Sequence, residues 1–366
     1  LRLLAGQFFF FFFFPWTHKT QPLLLKGILT PILVLFLDDG RINEEELRRI
    51  INWLVEKDVS GLYPNGSTGE FIRLSFEERK RVIQIVAQEA RGRVPVLAGA
   101  AEANLDLILQ ACRTYADLGC TAVSVTGPYY YKVSQESIEH FFRELARQSP
   151  IDILLYNIPQ FSNEISLPVV TRLALDCPRI VGIKDSSRDF PRLVCTLQAI
   201  KPQRPNFTIL TGTEETLFPA LLMGADGGTI ATSGVVPEVV MKLYREFIAG
   251  NWAEARAIQF KLLDLINAML YGTNFPEGFR AGMSLRGFNL GTSRQLLSPK
   301  EQCDYEEIRS HIACLLADCG FSEAASACRR PAAASSQSPH QASAVNADDV
   351  VREVMHQLNL SAPRKP

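Results

Sequence analysis

From Gly27 to about Gly250 the chain repeats one unit eight times, a short apolar run followed by an amphipathic helical pattern. The apolar runs are Ile28–Phe36, Gly61–Pro64, Val94–Ala98, Ala122–Thr126, Ile153–Tyr156, Ile180–Ile183, Phe207–Leu210 and Gly228–Ala231. Helical spacing lies between them, as at Glu44–Val55, Phe76–Ala90, Leu105–Leu118, Ser137–Arg147 and Pro168–Leu175. Ser75 ahead of Glu77 and Glu78, and Ser134 ahead of Glu136, supply helix starts. Strands that alternate with helices pair in parallel and are covered by those helices. Eight units fit a closed barrel of roughly 250 residues better than an open sheet. No GxGxxG follows the first run, so nothing points to a dinucleotide fold. After Asn251 the pattern is purely helical, at 252–271, 276–287 and 299–318. The expected architecture is an α/β, (β/α)8 TIM barrel over 27–250 with a helical C-terminal extension over 251–321.

The ends differ in character. Residues 1–26 hold Arg2, Leu3, Leu4 and seven consecutive phenylalanines, Phe8 to Phe14. That run is too short to span a bilayer as a helix and lacks a small-residue cleavage site. The expectation is a disordered extension or a mis-assigned start. Residues 322–346 are rich in Ala, Ser, Pro and Gln and read as a flexible linker. A short amphipathic tail follows over 347–366, with Val350, Val351, Val354, Met355 and Leu358 near helical spacing.

Charge narrows the partners. With 38 basic and 39 acidic side chains the formal net charge is -1, which offers no field for nucleic acid or an anionic membrane. A locally positive pocket could still take a small anion. The eight cysteines form no CxxC pair, and the five histidines are not spaced as zinc ligands. They read as buried or idle thiols in a reducing cytoplasm, and no metal is expected.

In such a barrel the chemistry sits at the C-terminal ends of the strands. Four segments qualify: Asn65-Gly66-Ser67-Thr68-Gly69-Glu70, Gly127-Pro128-Tyr129-Tyr130-Tyr131, Tyr156-Asn157-Ile158-Pro159 and Lys184-Asp185-Ser186-Ser187. Lys184 closes an apolar run, where desolvation favours a neutral amine able to attack a ketone. A lysine snorkelling to the rim would look the same. Tyr156 ends the preceding strand and could shuttle a proton or simply plug the barrel top. Gly66 and its neighbours could bring backbone N–H groups and two hydroxyls to a carboxylate, or form an ordinary tight turn. Glu70 reads as fixing that loop. The three tyrosines also suit a subunit contact.

Together, and in this order, GSTGE, PYY, LYNIP and GIKDSS resemble the dihydrodipicolinate synthase / N-acetylneuraminate lyase family of class I pyruvate aldolases, over roughly 27–320. The resemblance implies a (β/α)8 barrel, no cofactor, and a tetramer made from two tight dimers. It implies that Lys184 forms the Schiff base, that Tyr156 is the general acid/base, and that Ser67 and Thr68 hold the pyruvate carboxylate. It also implies that Ser67 stands where many members carry a relay threonine, and that Tyr130 is lent to the neighbouring subunit. Phe161 occupies the place where dihydrodipicolinate synthases carry an arginine for the semialdehyde carboxylate. Glu214 and Glu215 resemble acidic residues that bind polyol hydroxyls in sugar-acid aldolases, although they also suit the first turn of a helix.

The expected function is therefore reversible cleavage of a 2-keto-3-deoxy sugar acid to pyruvate and an aldehyde, with motifs nearest those of 2-keto-3-deoxygluconate aldolases. Alternatives are 4-hydroxy-tetrahydrodipicolinate synthase, N-acetylneuraminate lyase, 4-hydroxy-2-oxoglutarate aldolase and a ligand-sensing barrel.

Overall fold

The computed structural model describes residues 25–329. Eight strands run β1 (Gly27–Pro31), β2 (Gly61–Tyr63), β3 (Leu97–Gly99), β4 (Ala122–Thr126), β5 (Asp152–Asn157), β6 (Ile180–Asp185), β7 (Thr208–Thr211) and β8 (Gly227–Gly228). All pair in parallel, in the order β2-β1-β8-β7-β6-β5-β4-β3. A parallel bridge between Leu62 and Val96 joins β2 to β3 and closes the ring.

Strand parity separates two cores. Leu29, Tyr63, Leu97, Ala122, Leu154 and Leu210 pack on one another inside the barrel. Their neighbours in sequence, such as Val123, Ile153, Leu155 and Ile209, pack against the surrounding helices. Successive side chains on a strand point to opposite faces, so one strand serves both cores.

Eight helices cover the sheet: α1 (Glu44–Glu56), α2 (Phe76–Ala90), α3 (Leu105–Asp117), α4 (Gln135–Gln148), α5 (Leu167–Asp176), α6 (Phe190–Ile200), α7 (Leu217–Leu222) and α8 (Pro237–Ile248). The Ser75 and Ser134 starts hold: Ser75 makes a reciprocal cap with Glu78, and Ser134 accepts from the Ser137 N–H. Two apolar runs overshoot their strands. The β1 ladder stops at Pro31, and Ile32–Phe36 continues as buried chain. The last run pairs only at Gly227 and Gly228 before turning at Ala231–Gly234.

The extension comprises α9 (Trp252–Ile266), α10 (Glu277–Leu285) and α11 (Pro299–Asp318). A π-helical turn, Asn267–Tyr271, continues α9 toward the barrel mouth. Two expectations are corrected here. Ser322–Ala327, given to a linker from composition, form a short 3₁₀ helix whose Ala324 is fully buried. Small residues can pack where large ones are absent, which composition alone conceals. That turn brings Cys328 to Cys314, and the two form a disulfide, so not every cysteine is an idle thiol. Cys195 and Cys303 are free and exposed. The phenylalanine run, most of the linker and the amphipathic tail lie outside the described residues. Among the described residues no helix is long and apolar enough to cross a membrane, and no His/Cys/Asp/Glu group could hold a metal ion.

A buried charge network ties the extension to the barrel. Arg280 of α10 lies 3.6 Å from both Glu70 and Glu277 and donates to the carbonyls of Val34 and Leu290. All three side chains are almost wholly shielded from solvent. Burial raises the Glu70 pKa, while Arg280 and Arg73 oppose that shift. Removing the arginine would leave two buried carboxylates short of a cation. Arg280→Met should therefore lower unfolding stability by about 3–5 kcal/mol in urea titrations at neutral pH. A loss under about 1 kcal/mol would show that the network does not hold the extension in place.

Candidate active site

The β5–β6 register sets Tyr156 directly beside Lys184. Tyr156 shares the inward parity of Leu154, and Lys184 reaches into the same space. The Lys184 side chain is buried, with Nζ 4.0 Å from the centre of the Tyr156 ring and 4.7 Å from that of Tyr63. Burial pushes the Tyr63 phenol well above its usual range, and it donates toward Ser124 at 3.3 Å. It therefore offers Lys184 a neutral aromatic face. Gly212 leaves room for the lysine stem: a Cβ there would stand 2.8 Å from Lys184 Cε and 1.9 Å from Ser186 Oγ.

The residue after each of these two positions faces the other way and locks the strand ends. Asn157 donates to Asp185 Oδ1 at 3.2 Å and accepts from the Ile165 N–H at 3.0 Å. Asp185 also accepts from the Ser187 N–H at 2.9 Å, and Arg192 of α6 pairs with Asp185 and donates to the Ile165 carbonyl. A charge-assisted network of this kind fixes the two strand ends relative to one another. The YN and KD pairs thus each combine a pocket residue with a positioning residue.

The loop after β2 lies across from them. Ser67 Oγ stands 3.4 Å from Tyr156 OH, and Thr68 lines the same pocket. Gly66 does not line the pocket; it packs on the Tyr63 ring, where a Cβ would come within 2.9 Å. Glu70, at positive φ, pairs with Arg73 at 2.8 Å and holds the loop.

The pocket is about 130 Å³ and has two kinds of wall. One carries Phe161, Phe275 and Phe279, with ring centroids 6.2 and 5.9 Å apart in sequence. The other carries Ser186, Arg188, Thr213, Glu214, Glu215 and Thr229. Glu214 occupies the short 3₁₀ turn after β7, and its buried carboxylate accepts from the Thr232 N–H at 2.8 Å. Burial pushes its pKa up to about 7. Thr229 is buried too, and its hydroxyl has no partner among the described residues.

Seven of the nine residues singled out from the sequence share this pocket: Lys184, Tyr156, Ser67, Thr68, Glu214, Glu215 and Phe161. Tyr130 does not join them within one chain; it is 89% exposed on the loop after β4, edge-on to Tyr131. Sequence reasoning missed Arg188, Thr229 and Tyr271. Arg188 lies in the loop that follows the Lys184 strand and was within reach of the strand-end rule; Tyr271 belongs to the extension and carried no local signal.

A lysine and a tyrosine side by side at the C-terminal ends of parallel strands, beneath a hydroxyl-bearing loop, place this chain among (β/α)8-barrel enzymes with the pocket at the usual end of the barrel. Residues 24–314 match the model of the dihydrodipicolinate synthetase family, and the chain belongs to that family of lyases and synthases. It is 31% identical over 288 residues to an uncharacterized DapA-like lyase of Pyrococcus horikoshii, covering 79% of this chain and 98% of the relative. It is 32% identical over 288 residues to a 4-hydroxy-tetrahydrodipicolinate synthase of Nitratidesulfovibrio vulgaris, covering 78% and 97%. Among solved structures, YagE, a prophage protein of the dihydrodipicolinic acid synthase family from E. coli K12 in complex with pyruvate, superposes with a TM-score of 0.76. That match has 27% identity and covers 80% of this chain and 99% of that one.

Glu214 supplies a pH test. Folded, its carboxyl keeps a proton up to about pH 7; unfolded, it releases it near 4.5. The folded state thus binds more protons between those values, and its stability falls as pH rises through them, by about 3 kcal/mol. Glu214→Gln should flatten that part of the stability profile. Parallel pH profiles in urea for the two proteins would refute a raised pKa.

Proposed function

We propose that this enzyme cleaves, reversibly, a 2-keto-3-deoxy sugar acid to pyruvate and an aldehyde through a Schiff base on Lys184. The observation that carries the reading is the buried Lys184 amine held against Tyr156, with Ser67 at 3.4 Å from the phenol. The Lys184 amine adds to the C2 carbonyl, and loss of water leaves an iminium. Tyr156, which gives its phenol proton to the departing carbinolamine hydroxyl, then takes the proton from the C4 hydroxyl through Ser67. The C3–C4 bond then breaks, its electrons pass to the iminium nitrogen, and the aldehyde leaves. Protonation of the enamine at C3 and attack by water release pyruvate and restore Lys184. Ser67 and Thr68 hold the keto-acid carboxylate, and Glu214 with Glu215 meet the hydroxyls of the tail.

Specificity for a sugar acid rests on the pocket's own residues. Phe161, packed against Phe275, presents an aromatic surface where a dihydrodipicolinate synthase would present an arginine. The name of the N. vulgaris relative favours a second reading, condensation of pyruvate with aspartate semialdehyde. Exposed Tyr130 and Tyr131 support a contact between copies of the chain, at which Tyr130 completes the neighbour's proton relay. On this reading the enzyme is a cytoplasmic homotetramer.

Incubation with pyruvate followed by borohydride should add one reduced adduct to the peptide that contains Lys184, and Lys184→Ala should abolish it. An adduct on another lysine overturns the assignment. Tyr156→Phe should slow turnover by about 10²–10⁴-fold, the usual worth of a positioned proton donor. Condensation with aspartate semialdehyde, and no cleavage of sugar acids, would favour the second reading.

A further inference from the structure

We propose that Arg188 receives an anionic group at the far end of the aldehyde half, so that the preferred substrates are 2-keto-3-deoxy acids ending in a carboxylate or phosphate instead of an alcohol. The inference rests on the aldolase reading above and names the substrate class for it. Lys184 and Arg188 are the two cationic side chains that line the pocket among the described residues. Lys184 is consumed as the iminium, and the keto-acid carboxylate is met by the uncharged Ser67 and Thr68. Arg188, four residues on in the loop that follows β6, is left beside the remaining part of the substrate.

Its restraints are light. The Arg188 Nε stands 3.7 Å from Glu215 Oε1, with the two side chains 39% and 28% exposed. A pair so screened by solvent is worth little and gives way cheaply. Tyr271, whose hydroxyl donates to the same Glu215 oxygen at 3.3 Å, supports the guanidinium from below with its ring centre 5.1 Å away. Among the described residues the terminal nitrogens of Arg188 take no hydrogen bond. A planar fork of donors, oriented by an aromatic face and free at its tip, matches the two oxygens of a carboxylate or phosphate. Burial raises the Glu214 pKa to about 7, which lessens the opposing charge near neutral pH. Arg188 also holds a positive φ of 65°, a conformation an arginine rarely adopts, and the surrounding loop keeps it there.

The test uses the full-length enzyme and three 2-keto-3-deoxyhexonates that differ only at C6: a primary alcohol, a carboxylate and a phosphate ester. For the unaltered enzyme, kcat/KM should favour at least one anionic end over the alcohol by about tenfold or more, the scale of hydrogen bonds to a charged group. The two anionic arms separate carboxylate from phosphate. Arg188→Asn keeps a residue suited to positive φ. It should bring the ratio of anionic to alcohol substrate close to one, chiefly through KM, and the ratio within a single variant is insensitive to its fraction folded. Cleavage of all three at equal kcat/KM, or a preference that survives Arg188→Asn, overturns the proposal alone. Failure to cleave any of the three, with the pyruvate adduct on Lys184 intact, overturns the sugar-acid reading together with it.

Discussion

The register between β5 and β6, which sets Tyr156 beside Lys184 and Asn157 beside Asp185, is the constraint on which the site depends. Side chains on a strand alternate, so a slip of one residue in either strand would turn its own phenol or amine into the helical layer and bring its Asn157 or Asp185 into the barrel. Arg192 opposes such a slip. It pairs with Asp185 from α6 and reaches the Ile165 carbonyl, so strand end, helix and following loop share one set of hydrogen bonds. Tyr156 and Lys184 are held in place because Asn157 and Asp185 behind them are buried and hydrogen-bonded, with Asp185 paired to Arg192.

A second lock explains why the C-terminal extension belongs to the site although it follows the eighth strand. Arg280 joins Glu70, in the loop that carries Ser67 and Thr68, to Glu277 at the start of α10. The same segment supplies Phe275 and Phe279, while the π-helical turn supplies Leu270 beside Tyr271. The hydroxyl loop and the mouth of the pocket are therefore set by one buried cation.

Much of this was legible beforehand. Eight apolar runs announced the barrel because both inward and outward positions of a parallel strand are apolar, which leaves continuous runs and not alternation. The strand-end rule then found Lys184 and Tyr156, and the order of four motifs carried the family. Other features were not legible, for definite reasons. Composition marked Ser322–Ala327 as a linker because burial of a small residue such as Ala324 leaves no apolar pattern. The Cys314–Cys328 pair has no spacing signature and depends on how that turn folds back. Tyr271 and Arg188 meet across 83 positions of sequence, and only the packed extension brings them together.

Glu214 shows how position can invert the meaning of a residue type. From the sequence, adjacent glutamates after a strand suit the exposed first turn of a helix, where a negative charge is favourable. Both sit in such a turn, yet only Glu215 keeps access to solvent and to Arg188. Glu214 is enclosed, bonded to the Thr232 N–H, and its proton is retained to about pH 7. One glutamate therefore balances a cation at the mouth while its neighbour presents a carboxyl that is partly a hydrogen-bond donor. Two identical side chains in sequence become two chemically different groups, and the difference comes wholly from burial.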